Sequence, residues 1–417
     1  MFICKRYSRT KQSVYRVACA CLAAVLLWLM PTHVLTASAA TVDERLPAAG
    51  GIAIPVALTS SLPTALTGTS ARAAVLIEAE SGDIVFRQNE RARLPMASTT
   101  KIMTALVAIE ALPLDTPVTV TPASVGIEGS SIYLTEGETL TLEELLYALL
   151  LESANDAAAT IAVAVSGSVE AFAVLMNEKA ASLGLSDTHF VNPHGLDDAD
   201  HYTTAYELAI IARAALQNED FRRICSTTRK TIPLRGTEGV RLLLNHNKLL
   251  KSYDGCSGVK TGFTKKTGRC LVSAAERDGV TLIAVTLGAP DDWRDHTAML
   301  DYGFELYESV ELCAPGSYSS PLWLISGQEE YVMVENIDAL AVTLRRDHGQ
   351  IDCVVELRRF DFAPIVGGQE MGQLVFYEIN TRGERQQLGS VSLYAAYGVE
   401  AVIYKQRFWE RLFRSDD

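Results

Sequence analysis

The sequence has little positive charge, few histidines and no histidine or cysteine pair at the spacing of metal ligands. Its 417 residues carry 37 basic and 50 acidic side chains, a formal net charge of −13. So acidic a chain lacks the basic surface that binds phosphates, which argues against nucleic acid as a partner. Because no His or Cys pair is suitably spaced, we predict neither a bound metal nor another cofactor.

The cysteines do not form a regular disulfide framework. Three of the eight fall within the first 21 residues, which leaves an odd number in the rest of the chain: Cys225, Cys256, Cys270, Cys313 and Cys353. Cys256 and Cys270 flank a predicted hairpin and could pair, and the sequence leaves that pairing open.

The N-terminal apolar run is too short to favour a membrane span. Residues 17–30 are 14 uncharged residues, whereas a spanning helix needs about 20. The run follows five basic residues and precedes the small residues 37–39, an arrangement typical of an export signal. We therefore predict a cleaved signal peptide over 1–39, with an uncleaved anchor as the alternative. Removal of five basic and no acidic residues changes the formal charge from −13 to −18. The protein is expected at the outer face of the cytoplasmic membrane, in the cell wall, or secreted.

The pattern of the remaining chain predicts an α+β fold with one antiparallel sheet. Residues 40–70 are rich in Ala, Pro, Thr and Ser and indicate a linker. One early hairpin and several late strands enclose a mainly helical stretch from about 101 to 216, and a closing helix follows. The predicted strands are 73–77, 84–86, 258–263, 270–274 and 281–286, and the predicted closing helix is 292–307.

Beyond about residue 313 the pattern changes to short alternating runs separated by turns, which is typical of a small all-β domain. We interpret it as an accessory or spacer domain. The predicted division is a catalytic domain over 71–308, a β-rich domain over 309–400 and a tail over 401–417.

The stretch Ser98-Thr99-Thr100-Lys101 opens a predicted helix, because apolar residues recur at helical spacing from 102 to 109. Residues three apart share a helix face, so the Lys101 amine is expected beside the Ser98 hydroxyl. A lysine whose pKa is lowered by burial or by a second cation can take the proton of such a nucleophile. Alone the tetrad is a weak signal, since Ser8-Arg9-Thr10-Lys11 matches it too.

Two further motifs follow in order, Ser153-Ala154-Asn155 and Lys260-Thr261-Gly262. The set and its order resemble those of penicillin-binding proteins and serine β-lactamases. With the stretches 190–196 and 245–250, the chain is most similar to the D-alanyl-D-alanine carboxypeptidases of the S11 peptidase type. The resemblance covers about residues 70–305, and the β-rich domain is similar to the family's C-terminal module.

This resemblance implies a β-lactamase/transpeptidase-like fold and a set of roles for individual residues. Ser98 would attack the penultimate D-Ala of a peptidoglycan stem peptide and form an acyl-enzyme, and β-lactam antibiotics would inhibit by the same attack. Lys101 would be the base. Ser153 would relay the proton to the leaving amine, and Asn155 would donate its amide N–H to the substrate backbone.

The third motif would bind the end of the substrate. Lys260 would supply positive potential, and the Thr261 hydroxyl would bind the terminal carboxylate. Gly262 would let the substrate lie against the strand as an added β-strand. The N–H groups of Ser98 and Phe263 would form the oxyanion hole. A second Lys-Thr-Gly, beginning at Lys266, is predicted to be a solvated turn, because it leaves no room for the hairpin.

Two other functions remain as alternatives. A class A-like β-lactamase would carry a deacylating glutamate in an E-x-x-L-N loop, and no such loop lies between Asn155 and Lys260. A catalytically silent scaffold would be expected to lack one of the motif residues.

His246 departs from the family, because some members place an arginine there to bind the substrate carboxylate. His194 and the acids Glu152 and Asp156 are most simply interpreted as structural, and a position of His194 in the lining of the cleft is the alternative.

The C-terminal residues 404–414 form an amphipathic pattern if they are helical. Phe408, Trp409, Leu412 and Phe413 share one arc, and Arg407, Arg411 and Arg414 lie opposite. Such a basic aromatic helix suits a membrane surface, and many relatives are tethered in this way. The alternative is a frayed tail or a helix packed on the β-rich domain.

Overall fold

The structure is a computed structural model and describes residues 64–234, 238–380 and 382–403. The predicted signal peptide 1–39, the linker up to residue 63 and the tail from residue 404 lie outside the described residues. The predicted domain boundaries therefore remain predictions at both ends of the chain.

The described strands and helices follow one another along the chain in the order expected of an α+β protein. The strands are β1 (Ala73–Glu78), β2 (Ile84–Gln88), β3 (Pro117–Thr119), β4 (Thr139–Thr141), β5 (Arg229–Pro233), β6 (Val240–Leu244), β7 (Cys256–Thr264), β8 (Gly268–Arg277), β9 (Val280–Leu287), β10 (Tyr307–Cys313), β11 (Ser319–Ile325), β12 (Tyr331–Asn336), β13 (Leu340–Arg345), β14 (Gln350–Leu357), β15 (Phe360–Phe362), β16 (Glu370–Ile379) and β17 (Arg385–Ala395). The α-helices are α1 (Lys101–Ala111), α2 (Leu142–Leu151), α3 (Asn155–Ser166), α4 (Val169–Ser182), α5 (Ala205–Leu216), α6 (Glu219–Ser226), α7 (Leu249–Ser252) and α8 (Asp292–Leu306).

The first domain is built on a five-stranded sheet in the order β2-β1-β9-β8-β7. Every neighbouring pair in it is antiparallel, which confirms the predicted sheet. β7, which carries the third motif, is therefore an edge strand of this sheet. The hairpin register places Cys256 opposite Ala275 and Cys270 opposite Gly262, so these two cysteines lie far apart along the ladder. The described cysteines are all free.

Both faces of the sheet are buried, because successive side chains of a strand point to opposite sides. On β1, Val75 and Ile77 contribute to the core shared with the helical insert, while Leu76 packs with Met299 and Leu300 of α8. The predicted helical middle, 101–216, is confirmed as α1 to α5, and α6 follows it. Helix α1 is buried around its whole circumference over its first two turns, as expected for the central helix of such an insert.

Helix starts follow the capping signals in the sequence. Thr141 and Glu144 form a reciprocal capping box at α2, which satisfies two N–H groups that the helix cannot bond itself. The Thr204 side chain caps α5 by accepting from the Glu207 N–H. Among the described residues no single helix is long and apolar enough to cross a membrane, although α3 and α4 together, bent by 82°, meet such a length and composition test.

The second domain has its own apolar core and a six-stranded sheet in the order β14-β16-β17-β12-β11-β15. Its strands alternate between buried and exposed side chains, as the sequence pattern predicts. Helix α8 runs directly into β10, which pairs with β13. The polypeptide thus passes from one domain to the other without a flexible connection between α8 and β10.

Candidate active site

Ser98 lies in a short 3-10 helix, Ala97–Thr100, that leads directly into α1. In a 3-10 turn side chains three apart stand one above the other, so Ser98 and Lys101 face the same way. Ala97 has a φ of 48°, a left-handed backbone that is unusual for alanine. Gly195 packs on this turn so closely that a Cβ added to it would lie 2.0 Å from the Ala97 carbonyl oxygen. The loop and the turn therefore fix each other's position.

Lys101 is fully buried and its amine has three polar neighbours. Lys101 Nζ lies 3.0 Å from Ser98 Oγ, 2.7 Å from Asn155 Oδ1 and 2.6 Å from the His194 carbonyl oxygen. Burial holds the pKa of Lys101 well below its usual range, and the charge of Lys260 lowers this pKa further, while Asp156 acts in the opposite direction. A lysine in this environment can exist as a neutral amine at neutral pH.

Lys260 is buried in β7, and its Nζ donates to its neighbour's carbonyl oxygen, Thr261 O, at 2.9 Å. Burial lowers the pKa of Lys260 to about 7, and the carboxylate of Glu152 opposes that shift. Lys266, by contrast, is exposed in the turn between β7 and β8. The structure therefore places Lys260, and not Lys266, beside the serine and lysine of the first motif.

Gly262 is the point at which β7 meets the serine turn. A Cβ at this position would lie 3.1 Å from Ser98 N, 3.1 Å from Thr99 N and 3.2 Å from Met96 O. Any larger residue would push the strand away from the turn. On the edge strand β7, next to this contact, Thr261 is half-buried and Phe263 is exposed.

Ser153 and Asn155 lie where α2 ends and α3 begins. Ser153 is buried in a left-handed conformation with a φ of 60°, which turns the chain sharply between the two helices. Asn155 accepts from Lys101 Nζ and donates through Nδ2 to the Glu128 carbonyl oxygen at 2.5 Å. The second motif therefore touches the first directly, through Asn155.

Asp156 has a structural role that the sequence only partly indicated. Its carboxylate accepts from the Ser131 hydroxyl at 2.6 Å and from the backbone N–H groups of Ile132 and Leu134 at 3.3 and 3.0 Å. A carboxylate holding three donors fixes the segment that follows the Glu128 carbonyl. Asp156 thus orders one wall of the site without contacting the reacting groups.

Two histidines have positions that the sequence motifs did not reveal. The main-chain carbonyl of His194 accepts from Lys101, so this residue belongs to the site through its backbone. His201 is buried, and burial lowers its pKa to about 4. Its Nδ1 accepts from Val191 N at 3.1 Å, so Nε2 carries the proton and donates to Thr100 Oγ1 at 2.7 Å. In the sequence, His194 belongs to the Asn-Pro-His-Gly loop, and His201 opens the stretch 201–205, which also fits the family pattern.

His246 and Glu152 lie together at the rim. His246 Nε2 is 3.4 Å from Glu152 Oε2, and Glu152 Oε1 accepts from Leu244 N at 2.6 Å. The imidazole is about half exposed. Glu152 thus connects the end of α2 to strand β6, and it is the carboxylate that raises the pKa of Lys260.

The contact between Gly195 and Ala97 gives a first testable prediction. Gly195→Ala would place a methyl group on the Ala97 carbonyl, shift the serine turn and displace the His194 carbonyl from Lys101. We expect acylation by a fluorescent penicillin to slow about a hundredfold, and the protein to lose ~2–4 kcal/mol of unfolding free energy.

Gly167→Ala is the matched control for this variant. Gly167 has the same φ of 85° as Gly195, but a Cβ there meets nothing within 4 Å. The control should lose ~1 kcal/mol through backbone strain alone and keep its acylation rate. Equal acylation rates in the two variants would show that the close contact does not position the serine turn.

The fold and this site define a class of enzyme: serine-type peptidases related to the penicillin-binding proteins. The family profile described as D-alanyl-D-alanine carboxypeptidase matches residues 60–291. The chain belongs to the D-alanyl-D-alanine carboxypeptidase family. It is therefore a serine-type carboxypeptidase, as the three motifs predicted.

Similar proteins of this family come from several bacteria. The chain is 34% identical to D-alanyl-D-alanine carboxypeptidase DacF of Bacillus subtilis over 315 residues, which cover 73% of this chain and 81% of DacF. It is 28% identical to DacC of Escherichia coli over 354 residues, 80% of this chain and 86% of DacC.

Solved structures show the same fold. Penicillin binding protein 5 from Haemophilus influenzae is 25% identical, with a TM-score of 0.59 over 81% of this chain and all of that chain. A variant of the Streptomyces K15 DD-transpeptidase is 33% identical, with a TM-score of 0.55 over 58% of this chain and all of that chain. These likenesses confirm the predicted α+β class with its antiparallel sheet.

Proposed function

We propose that the protein is an exported, penicillin-sensitive D-Ala-D-Ala carboxypeptidase that removes the terminal D-alanine from peptidoglycan stem pentapeptides through an acyl-enzyme on Ser98. The observation that carries the proposal is the set of three contacts around the Lys101 amine. Two of its neighbours, Asn155 Oδ1 and His194 O, can only accept hydrogen bonds.

A neutral Lys101 has two N–H bonds and one lone pair. If the two N–H bonds point to Asn155 and His194, the lone pair points to the remaining neighbour, the Ser98 hydroxyl at 3.0 Å. Because burial and Lys260 disfavour the charged form, this neutral state is accessible. Lys101 is then arranged as the general base for Ser98.

The reaction divides into two steps. Ser98 Oγ forms a bond to the carbonyl carbon of the penultimate D-Ala while its proton passes to Lys101. The C–N bond to the terminal D-Ala then breaks, and the leaving amine takes the proton through Ser153. Water next adds to the ester and releases the shortened peptide with Ser98 restored.

The rest of the site binds the substrate and stabilises developing charge. The Asn155 amide and the β7 edge would hold the peptide backbone, while Lys260 and the Thr261 hydroxyl would bind its terminal carboxylate. The N–H groups of Ser98 and Phe263 would stabilise the oxyanion. The close approach of Gly262 to the Ser98 turn supports this arrangement, because it brings the strand edge to the nucleophile.

Substrate turnover tests the proposal directly. A pentapeptide ending in D-Ala-D-Ala should release D-alanine with repeated turnover, measured by chromatography, whereas a peptide ending in L-Ala-L-Ala should remain intact. Benzylpenicillin should acylate the enzyme and be released slowly, because no deacylating glutamate lies in the 190–196 loop. Rapid hydrolysis of nitrocefin would instead favour a β-lactamase, and inactivity toward both substrates would favour a silent scaffold.

We further propose that the tail beyond residue 403 associates with the membrane surface after export. Its arginines and its aromatic residues would lie on opposite faces of a short helix, with Lys405 inside the apolar arc, which suits an anionic interface. Deletion of 404–417 should reduce flotation with phosphatidylglycerol vesicles, and salt should weaken flotation of the intact protein. Equal flotation of intact and shortened proteins would exclude an anchoring tail.

A further inference from the structure

The outer face of the six-stranded sheet carries a cluster of exposed apolar side chains at its β15 edge, named here the aromatic patch. It consists of Trp323, Ile325, Tyr331, Phe360 and Phe362. Trp323 is 55% exposed and Phe362 is 61% exposed. Contiguous exposed apolar side chains of this kind mark surfaces that contact a protein, a membrane or a ligand.

Strand register shows that the patch is continuous. Trp323 on β11 is directly opposite Tyr331 on β12 and Phe360 on β15, while Ile325 is opposite Phe362. The Trp323 and Tyr331 rings contact edge to face at 5.8 Å between centroids, and the Phe360 and Phe362 rings do so at 6.1 Å. The patch therefore spans three adjacent strands and two successive outward positions.

Core packing does not account for these side chains. On β11 the alternate residue Leu322 faces the domain core and is buried, so Trp323 and Ile325 necessarily face away from it. No described element covers that side of β11. These aromatic rings are therefore exposed on one face of the sheet, while the other face packs in the domain core.

The last described residues, 401–403, lie at this same edge of the sheet. Ala401 pairs with Gly327, and Val402 N donates to Ser326 O at 2.7 Å, immediately after Ile325. Ile403 follows and is 84% exposed. The remaining 14 residues, 404–417, therefore begin beside the patch.

We propose that the aromatic patch inserts into the interfacial layer of a lipid bilayer, as a membrane contact built into the β-rich domain. Trp, Tyr and Phe are the side chains that favour the boundary between headgroups and hydrocarbon. Arg359 is exposed directly before Phe360 and supplies positive charge for anionic headgroups, whereas Arg358 is paired with Asp361 at 3.3 Å. A patch held on the strands of a sheet fixes the orientation of the domain on the membrane.

A covering of the patch by residues 404–417 of the same chain is the outcome that competes with lipid. The lipid is favoured because the patch contains an exposed Trp323 and an exposed Tyr331, which are the side chains enriched at the boundary between headgroups and hydrocarbon.

Tryptophan quenching distinguishes these states. The exported, processed protein with Trp409→Phe contains two tryptophans, Trp293 and Trp323. A second variant that also carries Trp323→Phe contains only Trp293 and serves as the reference. With vesicles of phosphatidylcholine and phosphatidylglycerol containing brominated acyl chains, we expect Trp323 fluorescence to be quenched and Trp293 fluorescence to be unchanged. Absence of Trp323 quenching overturns the proposal. If the bromolipids do not quench Trp323, and deletion of 404–417 increases the quenching of Trp323 by acrylamide in solution, the tail covers the patch.

Flotation of full-length variants gives an independent readout. Ile325→Ser with Phe362→Ser should lower vesicle binding about fivefold or more. The matched control is Val174→Ser with Ile337→Ser, which removes two comparably exposed apolar side chains outside the patch and should bind as the parent does. Equal binding by the two double variants overturns the proposal. Release of D-alanine from a soluble peptide should be unchanged in both, so this test is separate from that of the enzymatic proposal.

Discussion

Lys101→Ala and Lys260→Ala are each expected to lower the rate of acylation by penicillin by about a thousandfold or more, measured with a fluorescent penicillin under single-turnover conditions. Lys101→Ala removes the amine that lies 3.0 Å from the Ser98 hydroxyl and with it the proposed general base. Lys260→Ala removes the second cation, which lowers the pKa of Lys101 and would bind the carboxylate of the antibiotic.

The pH dependence separates the roles of the two lysines. The pKa of Lys260 is about 7, so its charge is present below that pH and is lost above it. The difference in acylation rate between the parent and Lys260→Ala should therefore be largest below pH 7 and should become smaller as the pH rises. In the same variant the pKa of Lys101 should increase, because a like charge has been removed, and the acidic limb of the rate profile should move to higher pH.

Lys266→Ala is the matched control, because Lys266 begins the other Lys-Thr-Gly and is exposed in the turn between β7 and β8. It should acylate at the parent rate at every pH. A large loss of acylation rate in Lys266→Ala, with little loss in Lys260→Ala, would contradict the placement of the third motif on β7.

The motif residues were predictable because their chemistry requires particular side chains at particular spacings. The spacing between Ser98 and Lys101 predicted a shared helix face, and the structure has the same face on a 3-10 turn leading into an α-helix. Capping residues such as Thr141 and Thr204 marked helix starts correctly, since they satisfy backbone groups of their own helix. Local chemistry of this kind can be seen in a sequence.

Contacts that depend on the main chain or on distant segments were not predictable. The His194 carbonyl binds Lys101 across 93 positions, and any residue type could supply such a carbonyl. The bond between Thr100 and His201 joins residues 101 positions apart. The hairpin of β5 and β6 and the three-residue strand β15 also escaped the sequence pattern, because short edge elements gain their order from neighbours in space.

The aromatic patch was likewise not predictable from the sequence. The apolar run 322–325 is compatible with a strand, but only the order of strands in the sheet reveals that Trp323, Tyr331 and Phe360 form one row. A sequence gives the period of a strand, whereas the partners across it depend on tertiary pairing.

Penicillin is expected to form a covalent adduct on Ser98 at one adduct per chain, located by mass spectrometry of the digested protein. The β-lactam presents a strained amide and a carboxylate where the substrate's terminal D-Ala would lie. Ser98 is half-buried, so a ligand can reach its hydroxyl, while Lys101 behind it is closed to solvent. Ser98→Ala should abolish the adduct and reduce release of D-alanine by about ten-thousandfold or more, since no other group can form the acyl bond.

Ser226→Ala is the control, because Ser226-Thr227-Thr228-Arg229 repeats the spacing of the first motif with an arginine in place of the lysine. Arginine stays charged at all relevant pH values and cannot take a proton from a serine, so this tetrad cannot generate a nucleophile. The Ser226 hydroxyl instead donates to the Arg223 carbonyl at 3.2 Å on the exposed end of α6. Ser226→Ala should therefore keep full labelling. An adduct that persists in Ser98→Ala, or that maps to any other serine in the parent, would show that a different residue is the nucleophile and that the contacts around Lys101 serve packing alone.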